Sequence, residues 1–294
     1  VEVSGCTIQD TGIGLRVNKT LNFNFHENTF TNTLTGMFVM PPTLSSVAHA
    51  GIIKGNTFSN GIKDGVYVSK YLNLVITENL FDSPSIHGVD LSINTDGAEV
   101  SFNSFMGPPS FAGNAVSSAS KNVNISNNTI KGAFNLGINL SGANNNTVSN
   151  NSINGARYGL TANGNSTTAG ATISYNDFAG PETGGITGVS IGFLKPGVFH
   201  HNTLSGYNLN IDVQSGATGW GFYSNNFIKS PLGQVNAKDV QGTQNKWYDP
   251  VQLKGNFWSE HPCVDNNDPL GVCDNVYALD ADSKDLYPLS LPVK

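Results

Sequence analysis

Charge is what this chain has least of. Charged residues make up 12% of its 294 positions, 15 Lys plus Arg against 21 Asp plus Glu for a net charge of −6, and Arg16 and Arg157 are the only arginines. No basic cluster forms, which excludes nucleic acid as a partner. No apolar run reaches the roughly 18 residues of a membrane-spanning helix. No segment has the layout of a signal peptide, so any export signal lies outside these residues. Runs of Ala, Leu, Glu and Lys are missing too, and 33 glycines leave little room for helical repeats. No Pro-, Ser- or charge-rich linker divides the chain before its end, so one elongated domain is expected over 1–246, with a small irregular cap over 247–294.

What is present is repetition. An Asn-x-apolar triplet recurs at Asn28-Thr29-Phe30, Asn56-Thr57-Phe58, Asn79-Leu80-Phe81, Asn103-Ser104-Phe105, Asn128-Thr129-Ile130, Asn151-Ser152-Ile153, Asn176-Asp177-Phe178, Asn202-Thr203-Leu204 and Asn226-Phe227-Ile228, and Cys6-Thr7-Ile8 fits the same frame. Successive triplets lie 22 to 28 residues apart, which marks a structural repeat. Within each repeat the apolar runs are short and alternate with polar residues, as in Val123-Asn124-Ile125 and Gly137-Ile138-Asn139-Leu140, the period of strands with one buried face. Three short strands per repeat predict an all-β, single-stranded parallel β-helix of about ten coils, right-handed by the resemblance given below. Equivalent residues of successive coils then stack about 4.8 Å apart, so the Asn column becomes an inward ladder that passes amide hydrogen bonds from coil to coil. Turn-favouring Asn would explain the abundance of Asn but not its fixed phase against the apolar positions.

The repeat, together with Gly255-Asn256-Phe257-Trp258-Ser259, Asp265-Asn266-Asn267-Asp268 and Asp285-Leu286-Tyr287-Pro288-Leu289, resembles the NosD-like group of right-handed parallel β-helix proteins. That resemblance implies a secreted or surface protein with coils of the carbohydrate-binding and sugar-hydrolase type. Pro269-Leu270 stands where the group usually has glycine. The group's link to copper-site maturation brings no ligand set to this chain.

Cys263 and Cys273 lie in the one repeat-free region, where a cap with little core gains from a disulfide. Cys6 is expected to be a small buried residue in the ladder column. Sequons at Asn18, Asn124, Asn127, Asn139, Asn145, Asn150 and Asn165 are surface acceptors in a glycosylating host, although NNT and NNS also arise from the repeat itself. Loops are expected at Pro41 to Ser46, Met106 to Phe111 and Ala162 to Gly170. Val1-Glu2-Val3 enters a coil with no visible cap, and unlike ends favour head-to-tail association into a filament or coat.

Chemistry is harder to find. In the second-strand column the expected outward residues are Gly14, Phe38, Tyr67, Asp90, Val116 and Asn139, flanked by Arg16, Met40, Ser69, Ser92, Ser118 and Ser141. One carboxylate there is no catalytic pair. The best polar cluster is His87 and Asp90 with Lys63 and Asp64 one coil earlier; solvated loop charges are the plain alternative. Phe38, Met40 and Tyr67 form an outward platform for sugar rings or a protein partner. His26, Lys54, Thr77, Ser101, Ser126, Ser149, Ser174, His200 and Ser224 share another column, with His26 and His200 too far apart to hold one ion. His200 and His201, adjacent on a strand, are expected on opposite faces. Asp265, Asn267, Asp268 and Asp274 have the oxygen-rich spacing of a Ca²⁺ loop, without its glycine or closing Glu. No other cofactor is implied.

The residues therefore favour an extracellular or cell-surface structural or adhesive protein that associates with itself or its neighbours and meets polysaccharide on its lateral face. A polysaccharide lyase, hydrolase or epimerase is the alternative.

Overall fold

The computed structural model describes residues 1–18, 20–40, 50–142, 145–164, 170–192, 196–231, 235–240, 244–266, 271–280 and 282–294. The chain winds as a parallel β-solenoid with no α-helix among these residues, and each coil lays one strand on each of three parallel sheets of 10, 11 and 10 strands. The sixth coil is representative. Asn124–Ser126 lies on the first sheet, Thr129–Lys131 on the second and Phe134–Leu140 on the third. In each strand the alternating apolar residue turns inward, so Ile125 stacks between Val100 and Val148, and Ile130 between Phe105 and Ile153. All are fully buried.

On the second sheet the inward column continues from Ile8 as a stack of phenylalanines. Phe30, Phe58, Phe81 and Phe105 have ring centroids 5.0, 4.8 and 4.7 Å apart and nearly parallel planes. These rings fill the space beside glycines of the third sheet. A Cβ on Gly65 would lie 2.5 Å from Cδ1 of Phe81 and 2.6 Å from the carbonyl oxygen of Gly88. Neither can retreat, because the first is packed on both faces and the second is backbone. Gly65→Ala should accordingly cost about 1–3 kcal/mol of stability, the usual cost of overpacking. A urea midpoint equal to that of the wild type would show that the stack can slide.

Between the first and second sheets the turn is two residues long, and it explains the repeated asparagine. From Asn28 to Asn225 the residue before each ladder Asn adopts the left-handed conformation: Glu27, Gly55, Glu78, Phe102, Asn127, Asn150, Tyr175, His201 and Ser224 have φ between 54° and 64°. This swings the next side chain into the core. Asn151 is typical. Its Oδ1 accepts from both the backbone N–H and the amide of Asn128, each at 3.0 Å, while its own amide donates to Oδ1 of Asn176 at 2.9 Å and to the carbonyls of Ile125 and Ser149. The ladder runs without a break from Asn28 to Asn256.

Three placements differ from expectation. The tenth triplet is Asn225-Asn226-Phe227, one residue earlier than expected, with Asn225 in the ladder and Asn226 outside it bonded to Thr203. A consequence is that Tyr223, not Ser224, pairs with His200 on the first sheet. Cys6, which donates its backbone N–H to Asn28, is exposed rather than buried, because no coil lies beneath it among the described residues. A second polar column, unseen in the sequence, serves the turn between the third and first sheets: Ser120 Oγ accepts from Thr95 N–H, Asn146 Oδ1 from Val123 N–H and Asn245 Oδ1 from Trp220 N–H.

The stack continues past residue 246. Phe257–Trp258 is the last strand of the second sheet, and Asn256 is the last amide of the ladder. The hairpin of Tyr277–Ala278 and Lys284–Asp285 then brings Asp285 beneath it. Oδ2 of Asp285 accepts from the backbone N–H and the amide of Asn256 and from the indole of Trp258, and Oδ1 accepts from Tyr287 N–H. Phe227, Trp258 and Tyr277 stack in sequence at 4.4 and 4.1 Å, and Trp247 packs on Phe222 at 4.3 Å. Cys263 and Cys273 are joined by a disulfide.

Candidate ligand-binding face

The outer face of the third sheet is where side chains of differing chemistry meet. Its strands carry a glycine next to the first inward residue, as in Asp64-Gly65-Val66-Tyr67, so two successive residues turn in and the outward positions are three apart. One outward column is therefore Thr35, Asp64, His87, Asn114, Leu136 and Tyr158. The other is Arg16, Phe38, Tyr67, Asp90, Ser117 and Asn139. This corrects the expected column at three places. Arg16 stands where Gly14 was expected, Val116 points inward with Ser117 outside, and Ser118 is fully buried.

Two aromatic rings adjoin along the second column. Phe38 and Tyr67 stack with centroids 5.1 Å apart and planes 12° from parallel, and the Arg16 guanidinium sits 5.2 Å from the Phe38 centroid on its other side. Met40, opposite Asn18, is one pleat further along the strand and half-buried. Beyond Asp90 the column becomes hydrophilic, with the Thr161 hydroxyl donating to Asn139 Oδ1 at 2.8 Å.

Asp64, His87 and Asp90 converge beside this platform. Nδ1 of His87 is 2.8 Å from Oδ1 of Asp64 and 3.9 Å from Oδ2 of Asp90, and all three side chains keep about a fifth of their surface exposed. Burial alone would lower the His87 pKa; the hydrogen bond that its ring donates to Asp64 and the charges of Asp90 and Asp64 outweigh it and hold the imidazole above its usual value. Asp90 is also raised, by burial first, with His87 opposing and Asp64 adding. Lys63 is exposed on the preceding turn and has no ion-pair partner among the described residues, so the structure leaves it out of the cluster.

Other expected sites separate. Asp265 Oδ2 accepts from Gly271 N–H and Asp274 Oδ2 from Asn266 N–H, so these carboxylates cap their own loop; Asn267 and Asp268 lie outside the described residues. No group of three or more metal-ligating side chains occurs among the described residues. Asn18, Asn124, Asn127, Asn145 and Asn150 are exposed, Asn139 is half-buried with its oxygen engaged, and Asn165 falls outside the described residues, as do Pro41 to Ser46 and most of the third expected loop.

A different cluster escaped the sequence. His200 and His201 are not on opposite faces, because His201 is in the left-handed conformation (φ 55°) and the alternation of an extended strand stops at His200. Their Nδ1 atoms are 2.8 Å apart. His200 stacks on Tyr223 at 5.2 Å and His201 on Tyr175 at 4.8 Å. The signal was available in the column of left-handed residues preceding each ladder Asn.

These features define a parallel β-solenoid with a polar and aromatic lateral face. The right-handed β-helix region family matches residues 43–195, more than half of the chain, and the chain belongs to that family. No curated protein sequence matches it. Among solved structures, the crystal structure of the Dettilon tailspike protein is similar over 84% of this chain and 62% of the tailspike chain, with 14% identity and a TM-score of 0.42. This chain thus spans less than two thirds of the tailspike. A structure of QnrB1, a plasmid-mediated fluoroquinolone resistance protein, is similar over 84% of this chain and 94% of its own, with 14% identity and a TM-score of 0.24. Likenesses at these values carry no argument about function.

Proposed function

We propose that the protein is an extracellular β-helix of the NosD-like type that binds a glycan along the outer face of its third sheet. The observation that carries this reading is the unbroken column Arg16, Phe38, Tyr67, Asp90, in which a cation, two parallel rings and a carboxylate follow one another on adjacent coils. The outward edges of the two stacked rings offer an apolar strip to the C–H surface of a sugar, and the flanking charged and amide groups take its hydroxyls. The disulfide in the C-terminal segment fits an oxidising compartment. Affinity electrophoresis through gels cast with soluble polysaccharides tests it. Phe38→Ala and Tyr67→Ala should each weaken retardation about tenfold, roughly 1.4 kcal/mol, and retardation indifferent to both would remove the face from consideration.

Catalysis on the bound glycan is the second reading, and the Asp64, His87, Asp90 cluster favours it. An imidazole anchored through Nδ1 has Nε2 left to give or take a proton, and its raised pKa suits a general acid. His87→Gln should then stop release of new chain ends while leaving retardation unchanged. Retarded polysaccharides that are never cleaved by the wild type would eliminate this reading.

A further inference from the structure

The geometry points to a second carbohydrate site, for a single hexopyranose unit, at the turn between the first and second sheets, where Tyr175 and His201 form the wall of a pocket of about 310 Å³ also lined by Asn150, Asp177 and Thr203. This site lies on a different sheet face from the Phe38 and Tyr67 column and does not depend on it. Asp177 and Thr203 are outward neighbours on the second sheet, and Asn150, Tyr175 and His201 succeed one another in the left-handed turn column.

Residue types in that turn column support a role for the side chains. Asn and Gly adopt positive φ with little strain, and the column uses them at Gly55, Asn127 and Asn150. The column also holds Glu27, Glu78, Phe102 and Ser224, but only Tyr175 (φ 58°) and His201 (φ 55°) place rings on consecutive coils of it, stacked with planes 21° from parallel. Tyr175 keeps 54% of its surface exposed, so hydrophobic burial is not what holds it there. The Nδ1 to Nδ1 hydrogen bond, with His200 itself stacked on Tyr223 at 4°, fixes the orientation of the His201 ring before any ligand arrives. A preordered aromatic wall reduces the entropy lost on binding.

The occupant follows from the lining. The half-exposed Tyr175 ring takes a partner with an apolar face, whereas the Asp177 carboxylate, the Asn150 amide, the Thr203 hydroxyl and Lys294 in the same small pocket demand a ligand that both donates and accepts hydrogen bonds around its edge. A pyranose ring has both properties. The volume is at the lower limit of small-molecule pockets and admits one ring, not a polymer segment.

Histidine side-chain NMR separates this site from the one on the third sheet, since His200 and His201 report on one and His87 on the other. Methyl glycosides of glucose, galactose and mannose are titrated as probes into the full chain. The expected result is a saturable shift of the His200 and His201 ring resonances with at least one probe, weakened at least fivefold in Tyr175→Asn, a substitution suited to positive φ that preserves the fold. Shifts confined to His87 would overturn this site and leave the third-sheet reading standing. Shifts at His200 and His201 without any at His87 would support this site alone. No saturable shift at either with any of the three glycosides would overturn it.

Discussion

Asp285→Ala is expected to lower the unfolding free energy by about 3–5 kcal/mol in urea titrations, the largest effect of any single substitution considered for this chain. The carboxylate is fully buried and accepts four N–H groups, from the backbone and side chain of Asn256, the Trp258 indole and Tyr287. Every amide of the ladder donates toward the C-terminal end, so the column presents its last donors to Asp285. Alanine would leave all four unpaired in a site where aromatic rings exclude water. Asp285→Asn should cost less, about 1–2 kcal/mol, because one oxygen can still serve the three donors on Asn256 and Trp258 while the new NH₂ group faces Tyr287 N–H. A loss under 1 kcal/mol in the alanine variant would mean that the ladder needs no terminal acceptor.

The same residue makes stability depend on pH. Burial pushes the Asp285 carboxyl up to about 7, against the pull of its N–H donors, from 3.8 for an unperturbed group. The folded chain therefore holds this proton more tightly than the unfolded chain. Its contribution to stability is complete below about 4, and it is lost as pH rises through about 7. In Asp285→Asn this component of the pH profile should vanish. If wild type and variant show parallel profiles between these limits, the carboxylate is ionised throughout.

How far the sequence could be read depended on whether the backbone stayed regular. The Asn-x-apolar period survives loops of varying length because each Asn must meet the one below it, and it revealed both the solenoid and the ladder. Phase was lost where the local backbone departs from an extended strand. The doublet Asn225-Asn226 offers two candidates, and only the left-handed Ser224 decides that Asn225 turns inward. Alternation misplaced Ser117 and Ser118 because the preceding residues of the strand already put Ala115 and Val116 inside together. It misplaced His201 because αL reverses the direction of a side chain. Gly255, Asn256, Trp258 and Asp285 were visible as a C-terminal signature, but their physical meaning was not. A Cβ on Gly255 would collide with Asp285, and the other three complete the hydrogen-bonded end of the ladder. The cluster of Asp64, His87 and Asp90 was legible because all three lie on one regular face, His87 and Asp90 on one coil and Asp64 on the coil before.

Asn151→Leu tests the ladder at its middle, and a loss of about 2–4 kcal/mol is expected. Leucine has the branching of asparagine and is somewhat larger, so no cavity forms. What is lost is the acceptor for two N–H groups of Asn128 and the donor to Ile125, Ser149 and Asn176. Those groups are sealed between coils, and water cannot replace the missing partner. The neighbouring Asn150→Gly provides the contrast. Asn150 is exposed at φ 56°, a conformation that glycine adopts freely, and a change within about 0.5 kcal/mol is expected there. Asn28→Leu should cost less than Asn151→Leu, because Asn28 Oδ1 accepts from the backbone of Cys6 and from no ladder amide below it. Equal losses at Asn28 and Asn151 would mean that the amide donated from the preceding coil adds nothing to the ladder; a larger loss at Asn151 is the result expected if it does.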